Sequence, residues 1–271
     1  AEDVADPTGP VLLDIDGVLV SQGDPIDGAV AALRALREAG HPLRLVTNTT
    51  SRSRGVLARQ LRDGGFELEA DEILNPMVAA ARWLRAENRE PAALFVPDAA
   101  REDFADVEQV GDDVEQNAGD VGAVVIGDLG EGWGYATMNR ILGLLLEGPD
   151  PALVSLGHTR YWRASDGWRL DVGPFAAAFE MASGRSATVL GKPAAAFFHL
   201  GCEALDRAPA EVIMVGDDIR SDVGGALDAG LRAIQVRTGK FRPSDLDEPV
   251  TPTAVLDSVA ELPAYLATSK A

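Results

Sequence analysis

The stretch Val11-Leu12-Leu13-Asp14-Ile15-Asp16-Gly17-Val18 constrains this chain more than any other. Its apolar run reads as a buried strand, interrupted by two carboxylates two residues apart. In a strand, residues i and i+2 share a face, so Asp14 and Asp16 are expected to crowd at the strand's carboxyl end, where Gly17 breaks it. Open α/β sheets bind ligands at that edge. Neighbouring carboxylates repel one another, and one stays protonated unless a cation joins them. The stretch alone fits two readings equally: an acid pair with a divalent metal, or a strand that ends in a D-x-D turn.

Three later segments bear on the choice. A second apolar strand, Leu43-Arg44-Leu45-Val46, ends in Thr47-Asn48-Thr49-Thr50-Ser51 and leads into a helix over 54–63. Hydroxyls and amides at a strand end suit a phosphate, although a polar helix cap is the commoner use of such residues. In Val189-Leu190-Gly191-Lys192-Pro193, a lysine stands between a strand and an apolar helix containing Phe197, Phe198 and Leu200. It is one of very few lysines in an acidic chain, and no Walker A spacing surrounds it. Finally, Glu211-Val212-Ile213-Met214-Val215-Gly216 is a strand running into Asp217 and Asp218, with Ser221 and Asp222 on the helix that follows. Asp217 would complete an oxygen-only site of the kind Mg²⁺ prefers.

The order of elements is that of an α/β chain. A helix from about Asp27, with Val30, Leu33 and Leu36 on one face, closes on Gly40, and another over 77–87 carries Trp83 and Leu84 as core. Short strands over 93–96, 121–126 and 153–156 surround a helix over 135–146. A hairpin, 160–163 with 168–171, turns at Ser165-Asp166-Gly167. Trp162 and Trp168 flank that turn and read as a cross-strand packing pair. His41 reads as a surface residue, and His199 and Cys202 as structural. The expected division is a core of residues 1–90 and 185–271, with a second α/β domain inserted over 91–184.

Composition narrows the partners. A formal charge of −19 over 271 residues opposes nucleic acid and anionic membrane surfaces. It also gives weight to any lysine placed to meet an anion. No apolar run reaches the length of a membrane span. Residues 1–7 lack the basic and apolar regions of a signal peptide, and the single Cys202 excludes an internal disulfide. A cytoplasmic location is the expectation.

With D-x-D-G, the Thr-Asn strand end, Gly-Lys-Pro and G-D-D-x-x-x-D in this order, the chain resembles the haloacid dehalogenase superfamily of phosphotransferases over nearly its whole length. The insert resembles the α/β cap of the class IIA subgroup. The runs Leu153 to Gly157, Arg160-Tyr161-Trp162, Leu170 to Phe175 and Gly191-Lys192-Pro193 carry the likeness to one branch of it. The resemblance implies a Rossmann-like parallel-sheet core and a Mg²⁺-dependent phosphatase of a small phosphorylated compound. Asp14 would be the nucleophile that forms an aspartyl-phosphate, and Asp16 the acid and then the base. Thr47 and Asn48 would hold phosphoryl oxygens, and Lys192 would neutralise charge. Mg²⁺ would be held by Asp14, the main-chain carbonyl of Asp16, and Asp217, with Asp218 and Asp222 orienting Lys192 or metal-bound water. Substrate selection would fall to the cap, with His158 and Arg160 foremost and Tyr161, Asp171 and the 128–133 loop beside them. A homodimer through the cap is a further implication. A metabolite-binding or regulatory protein on the same fold, or a phosphomutase, is the alternative. The presence of Asp16 weighs against the binder, because binding alone has no use for it.

Overall fold

The computed structural model describes residues 9–110, 120–164 and 167–268. The N-terminal segment 1–7 and the turn residues Ser165 and Asp166, both used above, lie outside them. The chain divides into two compact units. One comprises Ala1–Thr47, Arg54–Leu74 and Lys192–Ala271, and the other Asn48–Ser53 and Asn75–Gly191.

The first unit is built on a six-stranded sheet in which every pairing is parallel. Its order is Ala254–Leu256, Arg232–Val236, Ile213–Gly216, Val11–Asp14, Leu43–Val46, Ile73–Leu74. Val11–Asp14 is central, with Leu13 level with Val215 on one side and Leu45 on the other. Covered on both faces, such a strand has to be apolar throughout. Leu13, Leu45, Val215, Ile234 and Val236 are fully buried, each contributing about 1.5–3 kcal/mol by leaving water. Helix Ala29–Glu38 buries Ala29, Ala32, Leu33 and Leu36 against this layer, and Gly40 follows it at φ 80°. The neighbouring strands were laid down in opposite directions from Val11–Asp14, so the chain reverses its winding there. That is where an open sheet leaves a crevice at the strands' carboxyl ends.

The second unit has its own parallel sheet, ordered Ala187–Val189, Ala152–Ser155, Ala123–Ile126, Ala92–Phe95. Helices Tyr135–Glu147 and Val172–Ser183 supply its core with Ile141, Leu145, Ala176 and Phe179. Asp171 caps the latter helix by accepting from the Val172 N–H at 2.7 Å, and Gly184 ends it at φ 72°. The residue pattern does not mark this helix, because Phe175-Ala-Ala-Ala-Phe-Glu-Met-Ala182 is small or apolar on nearly every side.

Several expectations need correcting. The second unit begins at Asn75, not 91, because helix Pro76–Ala86 belongs to it, and it extends to Gly191 rather than 184. The strand before Lys192 therefore pairs in the second sheet, whereas Lys192 itself opens the last segment of the first unit. Trp83 is only half-buried, while Leu84 is fully so. His41 is not a surface residue: it is 7% exposed, its Nδ1 2.9 Å from the Gly9 carbonyl. In the hairpin Tyr161–Ala164 with Gly167–Leu170, the backbone register pairs position 168 with 163 and position 162 with 169, not 162 with 168. Trp168 meets the Tyr161 ring edge-on at 5.3 Å instead. Among the described residues no helix is long and apolar enough to cross a membrane.

Candidate active site

Four adjacent strands of the first sheet end in polar residues at one edge. Val11–Asp14 ends on Asp14, and Leu43–Val46 runs into Thr47. Ile213–Gly216 runs into Asp217, and Arg232–Val236 continues to Thr238. Asp14, Thr47 and Asp217 are all buried. Lys192 reaches this edge from the start of its segment, with Nζ 2.8 Å from Asp14 Oδ1 and 2.7 Å from Asp222 Oδ1. Asp14 Oδ1 also accepts the Ile15 N–H at 2.9 Å.

Asp222 stands on one turn of π-helix, Ile219–Gly224, an irregularity often found at functional sites. Its Oδ2 accepts the N–H groups of Asp217 and Asp218, each at 3.1 Å. With one oxygen on Lys192 and the other on two amides, Asp222 fixes its neighbours. Asp218 turns away from Lys192. Its Oδ1 accepts the N–H groups of Arg220 and Ser221 at 3.0 Å, and its Oδ2 lies 3.7 Å from the ammonium of Lys240. Of the two acids expected to orient Lys192 or metal-bound water, Asp222 is the one that pairs with Lys192.

One oxygen from each of Asp14, Asp217 and Asp222 lies within 4.8 Å of the others. Three buried carboxylates share one buried ammonium, and the ionisation follows from that imbalance. Burial, and then the charge of Asp222, push the Asp14 pKa well above the usual carboxylate range against the pull of Lys192. Burial is also the main cause of the rise of Asp217 to about 6. Burial opposes the charge of Lys192, but Asp14 and Asp222 outweigh it and hold the amine more firmly protonated than in water. At Asp218 burial is outweighed by the Ser221 N–H and the Lys240 charge, and the pKa falls.

The residues fit a divalent metal. Asp217 Oδ2 accepts the Lys240 N–H at 2.6 Å, but its buried Oδ1 has no hydrogen-bond partner. An orphaned buried carboxylate oxygen among excess negative charge is costly unless a cation takes it up. The donors are all oxygen, which suits a hard ion.

Asp16 does not join the carboxylate cluster, and the other expected residues divide between the two units. The strand ends at Asp14, so Asp16 lies beyond it on a tight turn with its side chain exposed and outside the carboxylate cluster. The shared-face argument for the pair fails there, because alternation ends with the strand. Asn48 is exposed and belongs to the second unit, as do His158 and Arg160. Both of the latter are exposed, and the Arg160 guanidinium lies 5.6 Å from the centre of the Tyr161 ring. Asp171 is a helix cap whose pKa is raised chiefly by burial. The sequence reading passes over Thr238, Gly239 and Lys240. The available signal was a further Val-then-polar strand end, Val236-Arg237-Thr238-Gly239-Lys240, holding one of only three lysines.

The family model for haloacid dehalogenase-like hydrolases matches residues 11–109, and a second, HAD-hydrolase-like, matches 189–262. The human phospholysine phosphohistidine inorganic pyrophosphate phosphatase is 39% identical over 256 residues, 93% of this chain and 91% of that protein. The chain belongs to the haloacid dehalogenase-like hydrolases. The human haloacid dehalogenase-like hydrolase domain-containing protein 2 is 38% identical to this hydrolase, covering 91% of it and 90% of the relative. In three dimensions the hydrolase matches p-nitrophenyl phosphatase from Archaeoglobus fulgidus with a TM-score of 0.84 at 25% identity, over 95% and 99% of the two chains. The four motif segments fall inside the two matched regions.

Proposed function

We propose that this hydrolase is a Mg²⁺-dependent phosphatase that releases phosphate from a small phosphorylated compound through an aspartyl-phosphate on Asp14. The observation that carries the proposal is the buried Lys192 ammonium, paired with Asp14 and Asp222 beside the unpartnered oxygen of Asp217. Asp14 and Asp217 would hold the metal, together with the main-chain carbonyl of Asp16. Mg²⁺ bound there would supply positive charge against the oxygens of the transferred phosphoryl group.

The rest of the chemistry belongs to the chain. Asp14 attacks phosphorus while the bond to the leaving oxygen breaks, and Asp16 delivers a proton to that oxygen. Asp16, now a carboxylate, takes a proton from water. The water attacks the phosphoryl group on Asp14, which restores both residues and releases phosphate. Two displacements through a covalent intermediate replace one harder hydrolysis. The exposure of Asp16 suits a group that must meet both a leaving oxygen and water. Lys192 and the hydroxyl and amide groups at Thr47 and Asn48 would steady the phosphoryl oxygens, an electrostatic contribution larger when the donors are already in place.

The second unit would select the substrate, with His158 and Arg160 as its contacts. The name of the human relative puts phospholysine, phosphohistidine and pyrophosphate first among the compounds to try. The same reading includes a homodimer through this unit, supported by exposed Tyr161, Trp168 and Leu170 on the hairpin, and a cytoplasmic location, supported by a single, buried cysteine.

Asp14→Asn is the decisive variant. It should lower the turnover of an aryl phosphate by about four orders of magnitude or more while keeping the circular dichroism of the wild type. Undiminished turnover would remove Asp14 as nucleophile. In the wild-type protein, EDTA should abolish phosphate release and added Mg²⁺ should restore it. Release unaffected by chelation would remove the metal from the scheme.

A further inference from the structure

The loop leaving strand Arg232–Val236 is tied to the candidate site by close approaches that the chemistry above does not use. Thr238 Oγ1 donates to the Gly17 carbonyl at 2.5 Å, joining positions 221 residues apart. Two residues on, the Lys240 N–H donates to Asp217 Oδ2 at 2.6 Å. Gly239, between them, leaves no room for a side chain. A Cβ on it would lie 2.0 Å from Asp217 Oδ2 and 2.5 Å from Gly17 Cα. A Cβ on Gly17 would meet the same carboxylate oxygen at 1.9 Å. Both glycines have positive φ, 88° at Gly17 and 62° at Gly239, so side chains are disfavoured there twice over. The Asp217 carboxylate is held between two bare stretches of backbone, one of them the turn that carries Asp16.

That turn has bonds of its own: Gly17 N–H to the Val20 carbonyl at 2.7 Å and Leu19 N–H to the Ile15 carbonyl at 2.9 Å. These set its shape. They do not set where its tip stands against Asp217, which arrives on a different strand. The Thr238 hydroxyl does that, because it grips the carbonyl immediately after Asp16 while its own loop grips Asp217.

We propose that Thr238 is a positioning residue of this hydrolase, strapping the Gly17–Val18 peptide, the one next after Asp16, to the loop whose Lys240 N–H holds Asp217, so that the metal-holding oxygens and Asp16 keep one geometry. The proposal rests on the phosphatase reading for its kinetic consequence, not for its structural one. Thr238 is assigned no contact with substrate or metal in this scheme. It acts through the Gly17 carbonyl, and the backbone on either side of Asp217 transmits the constraint.

The test uses the full chain, Mg²⁺ and Mn²⁺ as probes in calorimetric titration, and an aryl phosphate for kinetics. Thr238→Val keeps the shape and loses the donor. It should weaken metal binding and lower kcat by about tenfold each, the scale of one well-placed hydrogen bond next to a metal site, with KM moving less than about twofold. Thr238→Ser should restore both to within about twofold of wild type, because the hydroxyl returns. Wild-type metal affinity and kcat in Thr238→Val overturn the proposal. So does a loss that Thr238→Ser fails to rescue, since shape rather than the donor would then be responsible. If Thr238→Val does not fold, Thr238→Ala and Thr238→Ser decide between them: only the serine keeps a hydroxyl to donate, and equal metal affinity in the two variants overturns the proposal. Metal binding without any phosphate release from the wild-type protein would defeat the phosphatase reading, while the affinity measurements still judge the strap.

Discussion

The carboxyl edge of the first sheet and the hairpin surface of the second unit use charge in opposite ways. At the sheet edge, Lys192 and Asp222 are almost fully enclosed and bonded at 2.7 Å, and the carboxylates around them draw on main-chain N–H groups. On the second unit, His158 and Arg160 stand in water, and Trp168 and Leu170 remain largely exposed beside them. Burial makes the first region expensive to ionise and rigid, which is what electrostatic stabilisation of a transferred group requires. Exposure leaves the second cheap to alter and free to adapt, which suits the selection of substrate proposed for it. The contrast predicts that chemistry and selectivity are separable by mutation.

The largest effect should come from the enclosed ammonium. Lys192→Met ought to cut aryl phosphate turnover by about a thousandfold, the scale seen when a preorganised charge donor is removed. It should also lower the melting temperature of the metal-free protein, because Asp14 and Asp222 lose their shared partner. Steady-state kinetics and a thermal melt check both, and near-normal turnover would erase the distinction between the two regions. A smaller and different effect is expected from Arg160→Ala and His158→Ala. Each should leave kcat for an aryl phosphate within about threefold of wild type. Each should change the ranking of phospholysine, phosphohistidine and pyrophosphate by about tenfold, the scale of one lost charged contact. A uniform fall for all substrates would assign these residues to the chemistry instead.

The smallest effect sharpens the comparison from outside both regions. Glu72 pairs with Arg37 at 2.8 Å in a partly buried setting. Burial there opposes ionisation, but the Arg37 bond and the Glu69 N–H prevail and lower the Glu72 pKa from 4.5. A carboxylate with a lowered folded pKa contributes stability above its unfolded value and loses it as pH falls through the folded one. Glu72→Gln should therefore cost about 1 kcal/mol or less at pH 7, as solvent-screened pairs do, and nothing in strongly acidic buffer. Denaturant melts at the two pH values measure it. A cost that persists in acid would locate the effect in packing rather than charge.

Legibility in the sequence followed how local each signal was. Helix Arg54–Asp63 and strand Leu43–Val46 were readable to the residue, because hydrophobic period and polar punctuation coincide there. Asp14, Lys192 and Asp217 were legible as candidate site residues because each follows or ends an apolar run with a polar residue that a buried strand has no use for. Helix Val172–Ser183 was not, since its residues are small or apolar all round and carry no period. Nor was the neighbour of Asp218: the resemblance gave it Lys192 or metal-bound water to orient, and the fold brings the ammonium of Lys240 to 3.7 Å from it.

The sequence alone therefore established the parallel α/β class, the family, and which acids and which lysine end the strands, because these rest on residue type and short-range spacing. Tertiary structure alone decided which of them meet. It brought Asp222 rather than the Asp16 carboxylate into the cluster, since strand alternation stops where the strand does. It also brought Thr238 onto a carbonyl 221 positions away. Adjacency of strands in a sheet is set by long-range burial, and no local pattern in the chain encodes it.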